Sequence, residues 1–182
     1  MKQSLPQAYA FAARAHTGQF RKGAGQAPYI NHPCAVAALV DKAGGSEAAI
    51  MAAVLHDVVE DTPVTLAEIE ASFGAEVAGL VKALTDTPEM ETMTDAARKT
   101  VQAEKIARAP DAAKLVKLAD QTNNLQDLCG VFSDWPLASR KVYLTGARKI
   151  ATQCAGLSGF LDEAFADAAR ALHTMIEQEE QI

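Results

Sequence analysis

The run Ala48 to Leu55 is apolar throughout and leads directly into His56-Asp57-Val58-Val59-Glu60-Asp61-Thr62. Four ionisable side chains therefore stand at the end of a segment that has to be buried. A buried charge is costly unless it is paired or bound to a metal. In a continuous helix, residues four apart share a face, which sets His56 over Glu60 and Asp57 over Asp61. An imidazole and a carboxylate, each with an acid one turn further on, suit a metal site with acid–base groups beside it. The same residues also suit a solvated helix end with a capping histidine, so ligands from elsewhere in the chain decide between the two.

At 182 residues the chain fits a single domain, 1–182, long enough to bury a substantial core. Abundant alanine and few aromatics favour helices over a β-sandwich. No apolar run approaches the roughly 20 residues that cross a bilayer, and the start Met1-Lys2-Gln3-Ser4-Leu5-Pro6 lacks the apolar core of a signal peptide. Cys34, Cys129 and Cys154 form no CxxC pair and read as reduced thiols of a cytoplasmic protein. Cys34 follows His32 by two residues, which permits ligation, but a small buried thiol accounts for it equally simply. A net charge of −6 argues against general nucleic-acid binding, and no membrane partner is expected. A small anionic ligand stays possible through local cations, either Arg21-Lys22 or Lys114 with Lys117.

The apolar periodicity is helical nearly everywhere. Helices are expected over Leu5 to His16, Pro33 to about Ala43, and from the N-cap Ser46 to about Glu60. The capping-box spacing of Thr65-Leu66-Ala67-Glu68 opens a short helix that stops at Gly74, and another runs from Ala75 to Thr85. Four more are expected at 95–107, 111–128, 135–155 and 160–178, with Pro136 in a first turn. Residues 18–31 form a Gly-rich basic loop with at most a short hairpin, and polar residues 86–93 a mobile one. The fold class is all-α, a compact helical bundle.

His32, in Tyr29-Ile30-Asn31-His32-Pro33, sits at a loop-to-helix junction from which it can aim inward. In Lys114-Leu115-Val116-Lys117-Leu118-Ala119-Asp120 and the residues after it, Leu115, Leu118, Leu125 and Leu128 make an apolar stripe. Lys117, Asp120 and Asn124 share another face. Singly, each has a plain explanation: a surface histidine, an i,i+3 ion pair, a solvated amide. Together they form a pattern H…HD…D that resembles the HD-domain metal phosphohydrolases. With Ala13-Arg14-Ala15-His16-Thr17-Gly18-Gln19-Phe20-Arg21-Lys22 and the acidic pair Glu60-Asp61, the order and spacing resemble the hydrolase domain of the RelA/SpoT family over roughly residues 5 to 155. Arg98-Lys99 and Gln102 fit the same pattern.

The resemblance implies a stand-alone small alarmone hydrolase with an HD-domain helical bundle. It implies one Mn²⁺ per chain bound by His32, His56, Asp57 and Asp120, a mixed N/O set. The implied reaction is hydrolysis of the 3′-pyrophosphate of guanosine 3′,5′-bis(diphosphate) or its pentaphosphate, giving GDP or GTP and pyrophosphate. Glu60 and Asp61 correspond to the pair that handles the attacking water. Arg21, Lys22, Lys117, Asn124 and Tyr143 correspond to nucleotide contacts. One departure stands out: Gln121-Thr122 follows the motif aspartate where the family commonly has Arg or Lys and then Leu. Two other readings remain at this point. One is an HD phosphohydrolase of another nucleotide phosphate ester, such as a nucleoside monophosphate or a phosphorylated dinucleotide cofactor; the other is a non-catalytic alarmone-binding module.

Overall fold

A computed structural model describes residues 3–21, 26–130 and 135–181. The described chain is α-helical, with helices α1 (Leu5–Ala15), α2 (Asn31–Lys42), α3 (Glu47–Leu55), α4 (Val58–Asp61), α5 (Leu66–Phe73) and α6 (Ala75–Leu84) in its first half. A 3₁₀ turn at Pro88–Thr92 precedes α7 (Asp95–Ala107), α8 (Asp111–Cys129), α9 (Leu137–Thr152) and α10 (Gly159–Glu180). The expected local signals operate. Ser46 Oγ accepts the Ala49 amide at 3.2 Å, and Thr65 and Glu68 form a reciprocal capping box. Gly74 joins α5 to α6 with φ 93°, a left-handed conformation that suits glycine.

Two helices occupy the centre. In α3 every residue from Ala49 to Leu55 is buried, and α8 is buried on most of its circumference, from Ala113 to Leu128. A helix apolar on one stripe belongs at a surface; one covered all round belongs inside. Around α8 pack α10, α2, α3 and α9, while α1 and α6 close over α3. The site therefore grows from the two most enclosed helices. No described helix is long and apolar enough to cross a membrane.

Two expectations need correction, the length of the central helix and the burial of Cys34. The central helix does not continue to Glu60: α3 stops at Leu55, and α4 starts at Val58. His56 Nδ1 donates to the Ala53 carbonyl at 2.7 Å, the oxygen that an uninterrupted helix would offer to the Asp57 amide. Residues 86–93, expected as a mobile loop, contain a 3₁₀ turn at Pro88–Thr92 whose Met90 is 2 % exposed. The short hairpin allowed at 18–31 corresponds, among the described residues, to an antiparallel bridge from Phe20 to Pro28, flanked by Arg21 N to Ala27 O at 2.9 Å and Tyr29 N to Gln19 O at 3.0 Å. Cys34 is half-buried rather than buried.

Candidate metal centre and nucleotide cleft

His32 sits in the first turn of α2, His56 and Asp57 in the break between α3 and α4, and Asp120 in the middle of α8. The break is what lets two adjacent residues point into one site. Donor atoms of His32, His56 and Asp57 lie within 4.8 Å of one another. His32 Nε2 is 3.3 Å from Asp120 Oδ1 and 3.6 Å from Asp57 Oδ2, while His56 Nε2 is 3.2 Å from Asp57 Oδ1 and 3.9 Å from Asp120 Oδ1.

The outer nitrogens are committed elsewhere. His32 Nδ1 donates to Asn123 Oδ1 at 2.7 Å, and His56 Nδ1 to the Ala53 carbonyl. With Nδ1 donating, each ring in its neutral form presents a lone pair at Nε2, the tautomer that a metal needs. His56 Nε2 is buried with no hydrogen-bond partner. Two imidazole nitrogens and two carboxylates converge here, which is the donor chemistry of a divalent cation. Cys34 is not part of the cluster among the described residues.

Asp120 is oriented by three side chains. Lys117 Nζ reaches Oδ2 at 3.0 Å, Gln121 Nε2 donates to Oδ2 at 2.9 Å, and Asn124 Nδ2 donates to Oδ1 at 2.6 Å. Burial opposes ionisation of Asp120, but Lys117 and the two imidazoles overrule it and hold the carboxyl well below the usual range. Asp57 is likewise held low, by His56 and His32 against its burial. Lys117 is raised above the usual lysine value, since Asp120 outweighs the burial that would lower it. Where the sequence departs from the family pattern, Gln121 is buried and accepts Lys99 Nζ at 2.8 Å.

Glu60 and Asp61 part company. Asp61 stays beside Asp57: the Tyr29 hydroxyl is 2.7 Å from Oδ2 of each, and Gln19 Nε2 donates to the Asp61 carbonyl at 2.8 Å. Glu60 turns the other way, accepting the Asp86 amide at 3.0 Å. Burial raises both carboxyls, with the Asp57 charge adding to the effect. Behind Tyr29, His16 stacks on its ring at 4.8 Å and pairs through Nδ1 with Gln19 Oε1 at 2.7 Å. Tyr29, His16, Gln19 and Asn123 carried no assigned role in the sequence. The spacing of Tyr29 three before His32, and Asn123 three after Asp120, was the available signal.

Beside this centre opens a cleft of roughly 250 Å³ lined by Phe20, Arg21, Tyr29, Asp61, Asn124, Trp135 and Tyr143, with Asp127 and Leu128. Arg21 donates to Asn124 Oδ1 at 2.6 Å and Asp127 Oδ2 at 2.9 Å, which ties Arg21 to α8. Trp135 and Tyr143 meet edge to face, 6.0 Å between centroids. Aromatic walls with a guanidinium can hold a flat base with anionic substituents. Arg21, Asn124 and Tyr143 thus share one cleft with Asp61. Lys117 lies apart, beside Asp86, Gln102 and Lys105. Lys22 lies outside the described residues.

Known proteins resemble this chain in sequence and in fold. The profile described as "HD domain" matches residues 8–142. The MESH1 guanosine-3′,5′-bis(diphosphate) 3′-pyrophosphohydrolase of Drosophila melanogaster is 37 % identical over 155 residues, covering 84 % of this chain and 85 % of its own. The human MESH1 enzyme of the same name is 47 % identical over 126 residues, 68 % of this chain and 69 % of its own. A solved structure described as a metazoan ortholog of SpoT that hydrolyzes ppGpp superposes with a TM-score of 0.82 at 33 % identity, over 91 % of this chain and 93 % of that one. The chain belongs to the HD-domain family, among its guanosine-3′,5′-bis(diphosphate) 3′-pyrophosphohydrolase members.

Proposed function

We propose that this protein hydrolyses guanosine 3′,5′-bis(diphosphate), releasing pyrophosphate from the 3′ position. The observation that carries the reading is the His32, His56, Asp57 and Asp120 set, with His56 Nε2 buried and unpartnered, in a chain 37 % identical to a curated enzyme of that activity. Those four residues would hold one divalent cation, and a mixed imidazole and carboxylate set is consistent with Mn²⁺. Bound there, the ion supplies a Lewis acid and lowers the pKa of water toward neutrality. A sensor that only bound the nucleotide would have no need of that chemistry.

The remaining roles belong to the chain. Asp61, open to the cleft and fixed by Tyr29 and Gln19, takes a proton from the attacking water. Glu60, on the Asp86 side, orients that water from the other flank. Arg21, Lys22 and Asn124 bind the phosphates and sugar, Lys117 adds positive charge behind Asp120, and Tyr143 packs on the base. Water adds across the ester that joins the 3′ oxygen to the diphosphate; the nucleoside oxygen gains a proton and pyrophosphate departs. The chain works as one domain, and its free cysteines fit a reducing, cytoplasmic setting.

Purified protein incubated with guanosine 3′,5′-bis(diphosphate), with Mn²⁺ or with chelator, tests the reading by product analysis. GDP and pyrophosphate released only with metal support it. Tight binding without turnover would make the protein a sensor, and turnover of other phosphate esters alone would reassign the substrate.

A further inference from the structure

Lys99 belongs to α7 and is only 6 % exposed. A lone cation so placed needs a reason, because burial disfavours it. Burial and the nearby charge of Lys117 pull Lys99 down to about 7. Its contacts supply the reason. Nζ donates to Gln121 Oε1 at 2.8 Å and lies 4.1 Å from the Tyr143 ring centroid. The other end of the same amide, Gln121 Nε2, donates to Asp120 Oδ2 at 2.9 Å.

An amide side chain can be turned either way about, and the two orientations exchange oxygen for NH₂. Turned over, Gln121 would set its oxygen against the Asp120 carboxylate and its NH₂ against an ammonium, repelling both. Lys99 Nζ at Oε1 and the Asp120 carboxylate at Nε2 together hold Gln121 in the orientation that presents NH₂ to Asp120. With Gln121 and Lys117 both on Oδ2, Oδ1 receives Asn124 Nδ2 at 2.6 Å and faces His32 Nε2 at 3.3 Å. The fold makes room for this route. A Cβ at Gly146 on α9 would fall 2.5 Å from Lys99 Cγ and 2.6 Å from its Cβ.

We propose that Lys99 is a positioning residue for the metal centre, acting on Asp120 through the Gln121 amide along a path that Gly146 keeps open. The inference rests on the metal-centre reading above and adds a residue to it, one with no contact to the ligands themselves. It is a relay of two hydrogen bonds, specific in direction.

The test is calorimetric titration of the purified, metal-stripped protein with Mn²⁺ alone, across the cycle of Lys99→Met, Gln121→Leu and the double variant. Partners of metal ligands commonly account for about 10- to 100-fold in metal affinity, and Lys99→Met is expected to weaken Mn²⁺ within that range. If Lys99 acts only through Gln121, the double variant binds no more weakly than Gln121→Leu. Circular dichroism of each variant is expected to match wild type. Gly146→Ala is the second probe: it deletes no polar group, yet forces Lys99 aside and is expected to weaken Mn²⁺ as well. Folded variants that bind Mn²⁺ as wild type does, or losses that add in the double variant, overturn the role of Lys99. Wild type that binds no Mn²⁺ overturns the metal-centre reading itself, a separate result.

Discussion

The Tyr29 hydroxyl stands 2.7 Å from Asp61 Oδ2, and the same oxygen is 2.7 Å from Asp57 Oδ2. One phenol thus ties a ligand carboxylate to the carboxylate proposed to take a proton from water. Burial and the two charges push the phenol above its ordinary value, so it stays protonated and serves as a donor. Stacking on His16 fixes the ring in place. Tyr29→Phe keeps the ring and the stack but deletes the bridge. It should fold normally and lose about 10- to 100-fold in kcat/KM, measured as pyrophosphate release. An unchanged rate would remove Tyr29 from the working site.

Glu60 and Asp61 flank Asp57 on opposite sides, one bound to the Asp86 amide and the other to Tyr29. Among the described residues the carboxylates within 4.0 Å of His32 and His56 are those of Asp57 and Asp120, not Glu60 or Asp61. The double variant Glu60→Gln, Asp61→Asn is therefore expected to retain Mn²⁺ by calorimetry. Turnover should fall about 100- to 10,000-fold, the usual range for a lost general acid or base. Full activity would eliminate the proposed handling of water.

The helices were legible because each carries its own local signal. Ser46 and Thr65 cap where their spacing says, and the apolar run into Leu55 could only be core. The break after Leu55 was not legible, since nothing in the order of residues says that His56 Nδ1 will claim the Ala53 carbonyl. Site residues split along the same line. His56 and Asp57 announce themselves by following the buried run, whereas His32 and Asp120 joined them through a family resemblance. Arg21 and Asn124 are 103 residues apart, and only the folded chain shows that one donates to the other. Lys99 read only as part of the family pattern and Gln121 as a departure from it, because their partnership depends on a gap at Gly146 in a third helix.

Arg21 offers the cleft its guanidinium while donating to Asn124 and Asp127 of α8. A charged hydrogen bond to phosphate contributes about 1.5–3 kcal/mol, roughly 10- to 100-fold. Arg21→Ala should raise KM for guanosine 3′,5′-bis(diphosphate) by that factor with a smaller change in kcat, as steady-state kinetics would show. A loss confined to kcat would place Arg21 at the reacting bond instead of at the nucleotide.

The convergence of His32, His56, Asp57 and Asp120 draws on α2, the α3–α4 break and α8, segments that come together only in the folded chain. A cation bound by all four therefore favours the native state alone. At a free Mn²⁺ concentration 100 times its Kd, the linkage gives about 2.7 kcal/mol of stability. For a chain of this size that corresponds to a rise in Tm of roughly 5–10 °C. Differential scanning fluorimetry with Mn²⁺ should show the rise, and excess chelator should reverse it. His56→Ala removes the buried, unpartnered Nε2 and is expected to abolish the shift while leaving a cooperative transition. A Tm that rises equally in wild type and His56→Ala would locate the bound ion outside this centre.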